Sequence, residues 1–143
     1  MKRLVCVGLF LVLTIALGLT ASALPPLPPY IEEHYSESPE HAKYVAMYKA
    51  LEMEHKCDAC HRPGVEKKMK GHGLNDYGDV VHRHFKHRDF NKADKLGKSD
   101  PAEAANAKKI IADALKKADA EKNAAGETYG DLIKAGKLPG KNN

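Results

Sequence analysis

After one long hydrophobic run at its start, the apolar positions of this chain follow helical spacing. Intervals of three and four residues predict an amphipathic helix over 40–56, with its apolar side facing a core. No segment has the strict alternation of a half-buried strand and no internal repeat is present, so the pattern predicts a mainly α-helical fold. The apolar stripe of the first helix consists of Tyr44, Met47, Tyr48 and Leu51.

Helix-breaking and capping residues divide the next part of the chain. Arg62-Pro63-Gly64 ends the first helical region, and a basic loop follows it. Asn75-Asp76-Tyr77-Gly78 is predicted to be a turn, after which Asp79 caps a short helix that reaches Phe85.

Residues 99–143 are predicted to form a C-terminal helical region. Ser99 or Asp100 caps its longer helix, which has a proline in the first turn, where a missing N–H costs little. A short last helix starts at Thr128 and ends at Gly136.

The start of the chain is interpreted as a secretory signal peptide over 1–23. A basic beginning precedes an apolar run, and Ala21-Ser22-Ala23 supplies the small residues typical of a cleavage site. A retained membrane anchor is the alternative, because about 20 apolar residues span a bilayer. We expect cleavage, and therefore a periplasmic or secreted protein without stable membrane insertion, from which Cys6 has been lost.

Residues 24–39 are predicted to be a proline-rich and irregular linker, which favours extended polyproline conformation at its start.

The chain contains 23 Lys and Arg and 19 Asp and Glu. The resulting net charge of +4 is too small an excess of positive charge to indicate nucleic-acid binding. Trp is absent and Phe scarce, so a cofactor would add apolar surface to a thin core. Only Cys57 and Cys60 remain after signal removal, which excludes a disulfide framework.

Cys57-Asp58-Ala59-Cys60-His61 is the most informative motif of the chain. A Cys-x-x-Cys-His run is typical of covalent c-type haem attachment. Two thiols one helical turn apart can add to the two vinyl groups of one haem, and the adjoining imidazole then reaches the iron as its proximal ligand. Such haem is attached outside the bacterial cytoplasm, so the predicted export signal agrees with this interpretation.

Three other uses of the cysteine pair stay open. Zinc would need two further ligands, which later histidines could supply. A thioredoxin-like redox pair would need a strand–helix context, whereas a helix precedes this motif. The third alternative is a structural disulfide between the two thiols. The histidines available to zinc are His72, His82, His84 and His87.

The signal peptide, the upstream helix and the motif together resemble small single-haem c-type cytochromes. This resemblance implies a small cytochrome c-like helical domain, with a haem-binding region over 40–98 around one covalent haem c. It implies attachment through Cys57 and Cys60, with His61 as the proximal iron ligand. Asn75-x-Tyr77-Gly78 adds a looser resemblance to small secreted bacterial proteins called cytochrome-like.

The other face of the iron departs from the common cytochrome pattern, which supplies a Met well downstream of the motif. Here no Met follows Met69. We therefore expect a His or an open position there, with His82 or His84 favoured as the ligand. A solvated basic helix face is the alternative interpretation of this histidine-rich run. The remaining candidates are Met69, His72 and His87, with Met47 and Met53 on the upstream side.

The predicted function is one-electron transfer by a mono-haem carrier that is not an enzyme. Lys67, Lys68 and Lys70 follow the motif and can steer an acidic redox partner, although ordinary solvated surface is the alternative. Two other functions stay open: a haem-based sensor or peroxidase-like protein with an open distal site, and a haem-free zinc-binding structural protein.

Overall fold

The helical periodicity corresponds to seven helices in residues 27–65 and 73–140, the parts of the chain that the computed structural model describes. Within these ranges the only extended pairings are two isolated bridges, so the prediction of a mainly α-helical fold is confirmed. The helices are α1 Pro28–Ser36, α2 Ala42–Ala50, α3 Met53–Lys56, α4 Asp76–His84, α5 His87–Gly97, α6 Pro101–Asp119 and α7 Tyr129–Lys134, with 3₁₀ turns at Pro39–His41 and Cys57–Ala59.

Several sequence predictions lie outside the described residues. They are the signal peptide over 1–23 with Cys6, the start of the linker, and the loop over 66–72 that contains the lysine cluster, Met69 and His72. Within the described ranges, none of the helices combines the length and the apolar character that crossing a bilayer requires.

Helix α1 corrects the prediction of an irregular linker over 24–39. Pro28 and Pro29 stand in its first turn, where a helix has no intrahelical partner for a backbone N–H. Ile31 and Tyr35, four residues apart, are buried against the core. The prolines suggested extended chain, but the burial of this apolar pair stabilises a helix.

The single helix predicted over 40–56 is broken at Leu51, whose extended backbone, with ψ of 142°, ends α2 before α3 begins. The predicted apolar stripe is nevertheless confirmed. Tyr44 and Tyr48 are fully buried, and Met47 and Leu51 pack against the same core. The break allows the leucine to keep that contact while α3 leads into the cysteine motif.

Helix α4 begins earlier than predicted, because Asn75 and not Asp79 is its N-cap. The Oδ1 atom of Asn75 accepts a hydrogen bond from the Gly78 N–H at 2.8 Å, so the segment predicted as a turn forms the first turn of the helix. Helix α5 was not predicted at all. Its buried side consists of only Phe90 and Ala93, too few apolar residues to establish a helical period.

Helices α6 and α7 confirm the predicted C-terminal helices. Asp100 caps α6 by accepting from the Ala102 N–H at 2.9 Å, and Thr128 caps α7 by accepting from the Asp131 N–H at 3.0 Å. Gly136, with φ of 77°, takes the left-handed conformation that commonly follows a helix. The capping residues therefore marked these elements correctly.

The core is rich in tyrosine. Helix α6 packs against α1, α4 and α5, and α7 packs against α2 and α6, so the C-terminal helices share one core with the helices around the motif. Tyrosine supplies apolar bulk, but each buried hydroxyl needs a hydrogen-bond partner. The largest fully buried side chains are Tyr35, Tyr44, Tyr48, Tyr77, Phe90, Ile111, Leu115 and Ile133.

Three polar groups of this core satisfy one another. The hydroxyls of Tyr35 and Tyr77 are 2.7 Å apart, and they lie 2.8 and 3.0 Å from Asp119 Oδ1. Both hydroxyls donate to the Asp119 carboxyl, and the Tyr35 hydroxyl also lies 3.0 Å from its Oδ2. Burial, which disfavours the carboxylate, raises the pKa of Asp119, and the two hydrogen bonds act in the opposite direction.

We expect Asp119→Asn to remove a pH dependence of stability. The folded-state pKa lies above the ordinary value of 3.8, so the contribution of this carboxyl is complete below that pH and is lost as pH rises through the folded-state pKa. As the pH rises above about 4, the wild-type free energy of unfolding should fall relative to that of the variant, as measured by urea denaturation.

The matched control is Asp113→Asn at an exposed carboxyl of the same helix. A hydrogen bond from Lys109 lowers the pKa of Asp113, so this variant should not reproduce the effect. Stability curves of the wild type and Asp119→Asn that run parallel as the pH rises would show that the pKa of Asp119 is not raised in the folded protein.

Candidate functional site

The cysteine motif forms one helical turn that continues from α3. The carbonyl oxygen of Cys57 accepts hydrogen bonds from the N–H groups of Cys60 at 3.1 Å and His61 at 2.9 Å. The Cys57 thiol donates weakly to the carbonyl oxygen of Met53, 3.7 Å away. The two thiols are therefore one turn apart, as the motif spacing predicts.

The two thiols are free and differ in environment. Cys57 lies at the outer edge of the turn, whereas Cys60 packs against the aromatic core. Burial, and secondly the neighbouring Cys57, raises the pKa of the Cys60 thiol to about 12. Because the thiolate is the nucleophilic form, Cys60 is poorly reactive in this environment.

A second segment of the chain lies beside the turn and is bonded to it. His61 and Leu74 form an antiparallel bridge. The backbone N–H of Arg62 donates to the Gly73 carbonyl at 2.8 Å, and its Nε donates to the Leu74 carbonyl at 2.8 Å. These contacts hold the residues after the motif against the residues that precede α4.

Asn75 lies at the centre of this contact and is a buried polar residue, only 6% exposed. Its backbone N–H donates to the Cys60 carbonyl at 3.0 Å. Its side-chain Nδ2 donates to the carbonyls of Asp58 at 3.0 Å and His61 at 3.4 Å, while Oδ1 accepts from the Gly78 N–H. One side chain thus satisfies both the motif turn and the N-terminus of α4.

Gly78 allows α4 to approach the motif turn. A β-carbon at this position would overlap the carbonyl oxygen of Cys60. Gly140 approaches the side chain of Asn75 equally closely, next to the buried Leu138. Three parts of the chain therefore meet here: the motif turn, the start of α4 and residues 138–140.

The structure does not bring His84, one of the two favoured distal ligands, to the motif. The first turn of α4 contacts the motif at Gly78, and His84 lies about 9 Å farther along the helix axis. The Nε2 atom of His84 is 2.6 Å from Oε1 of Glu121, which also pairs with Arg83. In this structure a carboxylate holds the His84 imidazole, and the expectation that His84 binds iron stays a prediction.

His82, the other favoured ligand, lies at the same end of α4 and is exposed. Its ring is 4.5 Å from the ring of His87, which in turn contacts Phe85 at 4.4 Å. Its position agrees with the alternative interpretation of a solvated basic helix face. The candidates Met69 and His72 lie outside the described residues.

The donor atoms of the motif do not converge on one point. Among residues 27–65 and 73–140, the group of three potential ligands that could share a metal ion is the exposed set Glu52, Glu54 and His55. A zinc site requires its ligands to meet at one ion, whereas haem c requires thiols at the ring edge and an imidazole at its centre. Among the described residues, the two thiols and His61 therefore do not form the group of ligands that zinc requires. Two surface clefts, of about 160 and 440 Å³, lie against α6 and are lined by none of the motif residues.

Comparison with protein-family models, with curated proteins and with solved structures found no match for this chain. The interpretation of the site therefore depends on its own residues and geometry.

Sequence reasoning assigned no role in the site to Asn75 or Gly78. A signal for both was present, because Asn is a preferred N-cap and a Gly in the first turn of a helix is unfavourable unless something approaches it closely. The carbonyl groups that these residues contact belong to a distant part of the sequence, and that pairing has no local signature.

We expect Gly78→Ala to destabilise the protein although alanine is the better helix former. In an open helix the substitution would stabilise by roughly 0.5–1 kcal/mol. Here the new methyl group would displace the Cys60 carbonyl, so the free energy of unfolding should fall by about 2 kcal/mol. Urea denaturation measures this change, and alkylation of Cys60 should become faster.

Gly126→Ala is the control, because Gly126 has φ of 86° and no atom near its missing β-carbon. This variant should lose some stability through backbone strain without changing Cys60 alkylation. A Gly78→Ala protein that is more stable than the wild type would show that the close approach does not exist.

Proposed function

We propose that this chain is an exported electron carrier that holds one covalent haem c through Cys57 and Cys60, with His61 as the proximal iron ligand. The observation that carries the proposal is the motif turn, in which one carbonyl accepts from the N–H groups of both Cys60 and His61. Two thiols one helical turn apart can add to the two vinyl groups of one haem, which supports the proposal.

The state of the thiols supports haem over the other uses of the pair. Both are free, and Cys60, which packs against the core, has a raised pKa that is unsuited to an attacking thiolate at this position. Zinc would require its ligands to meet at one ion, and within the described residues the two thiols and His61 form no such group. Thioether formation joins the two sulfurs to separate ring positions and does not require the donor atoms to meet.

Each residue of the turn has a defined part in this function. Cys57 and Cys60 would fix the ring to the chain, and the His61 imidazole would coordinate its metal. A bound haem c supplies one-electron chemistry between ferric and ferrous iron. The tyrosine core behind Cys60 keeps water from the inner side of the turn, while Asn75 bonds the carbonyl groups of the turn.

An acidic redox partner belongs to this proposal. Arg62 is exposed directly after the motif, and Lys67, Lys68 and Lys70 follow it along the chain. Positive charge beside a redox centre accelerates the encounter with a negatively charged protein. The proposed location is the periplasm or the medium, where c-type haem is attached.

We expect the wild-type chain, expressed with its own signal and a cytochrome c maturation system, to gain the mass of one haem. The pyridine haemochrome spectrum should show two thioether bonds. Cys57→Ala and Cys60→Ala should each remove one of these bonds, and His61→Ala should remove the proximal ligand and strongly reduce the yield of holoprotein.

His55→Ala is the matched control, because His55 is an exposed imidazole on the same side of the chain, paired with Glu54 and Asp58. Its haem content should equal that of the wild type. Wild-type protein at bare polypeptide mass, from a host that matures a reference cytochrome c, would contradict the proposal. Carbon monoxide binding to the reduced holoprotein would indicate the open distal site of a sensor or peroxidase-like protein instead of a simple carrier.

A further inference from the structure

We infer that Asn75 is a positioning residue for the motif turn, an inference that rests on the proposed function. Its side-chain amide holds the carbonyls of Asp58 and His61, and its backbone N–H holds the carbonyl of Cys60. These three carbonyls lie in one turn, so a single residue fixes the backbone from which the Cys60 thiol and the His61 imidazole project.

Burial makes this arrangement specific. Asn75 is 6% exposed, so water cannot easily replace its hydrogen bonds, and each carbonyl that lost its donor would be left poorly solvated. Gly140 lies close against the amide, and Gly78 brings the helix against Cys60, so the chain packs tightly around Asn75. The turn is thereby held in one geometry before any cofactor contributes to it.

Asn75 has a second role that a test must separate from the first. Its Oδ1 caps α4, and loss of an N-cap destabilises a helix whether or not that helix contacts the motif. The two roles use different atoms of the amide. Asn75→Asp and Asn75→Ser keep an oxygen that can accept from the Gly78 N–H, but both lose the Nδ2 donor that reaches Asp58 and His61.

The first experiment does not require haem. In full-length chains that carry Cys57→Ala, alkylation of Cys60 is followed by peptide mass in the parent and in the Asn75→Ser and Asn75→Asp variants. Both variants should react about tenfold faster than the parent, because the turn opens more often. The control is Asp100→Ala, which removes the cap of α6 far from the motif and should leave the alkylation rate unchanged.

The second experiment uses the haem-loaded protein. Asn75→Ser should shift the reduction potential and the visible spectrum of the iron, whereas Asp100→Ala should lower only the midpoint of denaturation. Equal alkylation rates in the parent and both Asn75 variants, or an unchanged potential, would overturn the inference. If the wild type holds no haem, the proposed function fails while the alkylation experiment still decides the role of Asn75.

A measurement on the unaltered chain covers the case in which the Asn75 variants do not fold. The amide hydrogens of Arg62 and Asn75 should exchange with solvent as slowly as those in the middle of α4, since both are bonded across the contact. Fast exchange at these two positions would show that the turn is not held.

Discussion

The structure around the motif depends on hydrogen bonds between two segments that neither element could make alone. A one-turn helix such as α3 is marginal by itself, because few hydrogen bonds offset the entropy of ordering its backbone. The start of α4 stabilises the turn that follows α3 by supplying donors to its carbonyls, chiefly from Asn75. The motif turn also buries and orients Asn75, the N-cap of α4. Each element is therefore ordered by the other.

The tyrosine core explains how a chain with little phenylalanine and no tryptophan forms a well-packed helical fold. Each buried ring contributes apolar area, and edge-to-face contacts such as those of Tyr35 with Tyr44 add directional packing. The hydroxyl groups then need partners in the interior. Asp119 accepts from two of them, and its partial burial disfavours the charged form of its carboxyl group and raises its pKa. The same aromatic layer forms the inner wall behind Cys60.

Features with a local chemical cause could be predicted from the sequence, and features that depend on distant contacts could not. The caps Asp100 and Thr128 act on their own helices, so α6 and α7 were placed correctly. Helix α1 has a misleading local composition, and only the burial of Ile31 and Tyr35 explains it. The motif identified Cys57, Cys60 and His61, but the residues that hold them come from beyond position 73. No rule of spacing connects Asn75 with a carbonyl seventeen residues earlier.

The burial of Cys60 has a consequence for the order of events during biogenesis. In the completed fold this sulfur faces the aromatic wall and is protonated at neutral pH, so chemistry at it is slow. In the newly made, still extended polypeptide the same atom is as accessible as that of Cys57. Any enzyme that modifies both cysteines therefore meets its best substrate before the helices assemble, and folding afterwards shields the product.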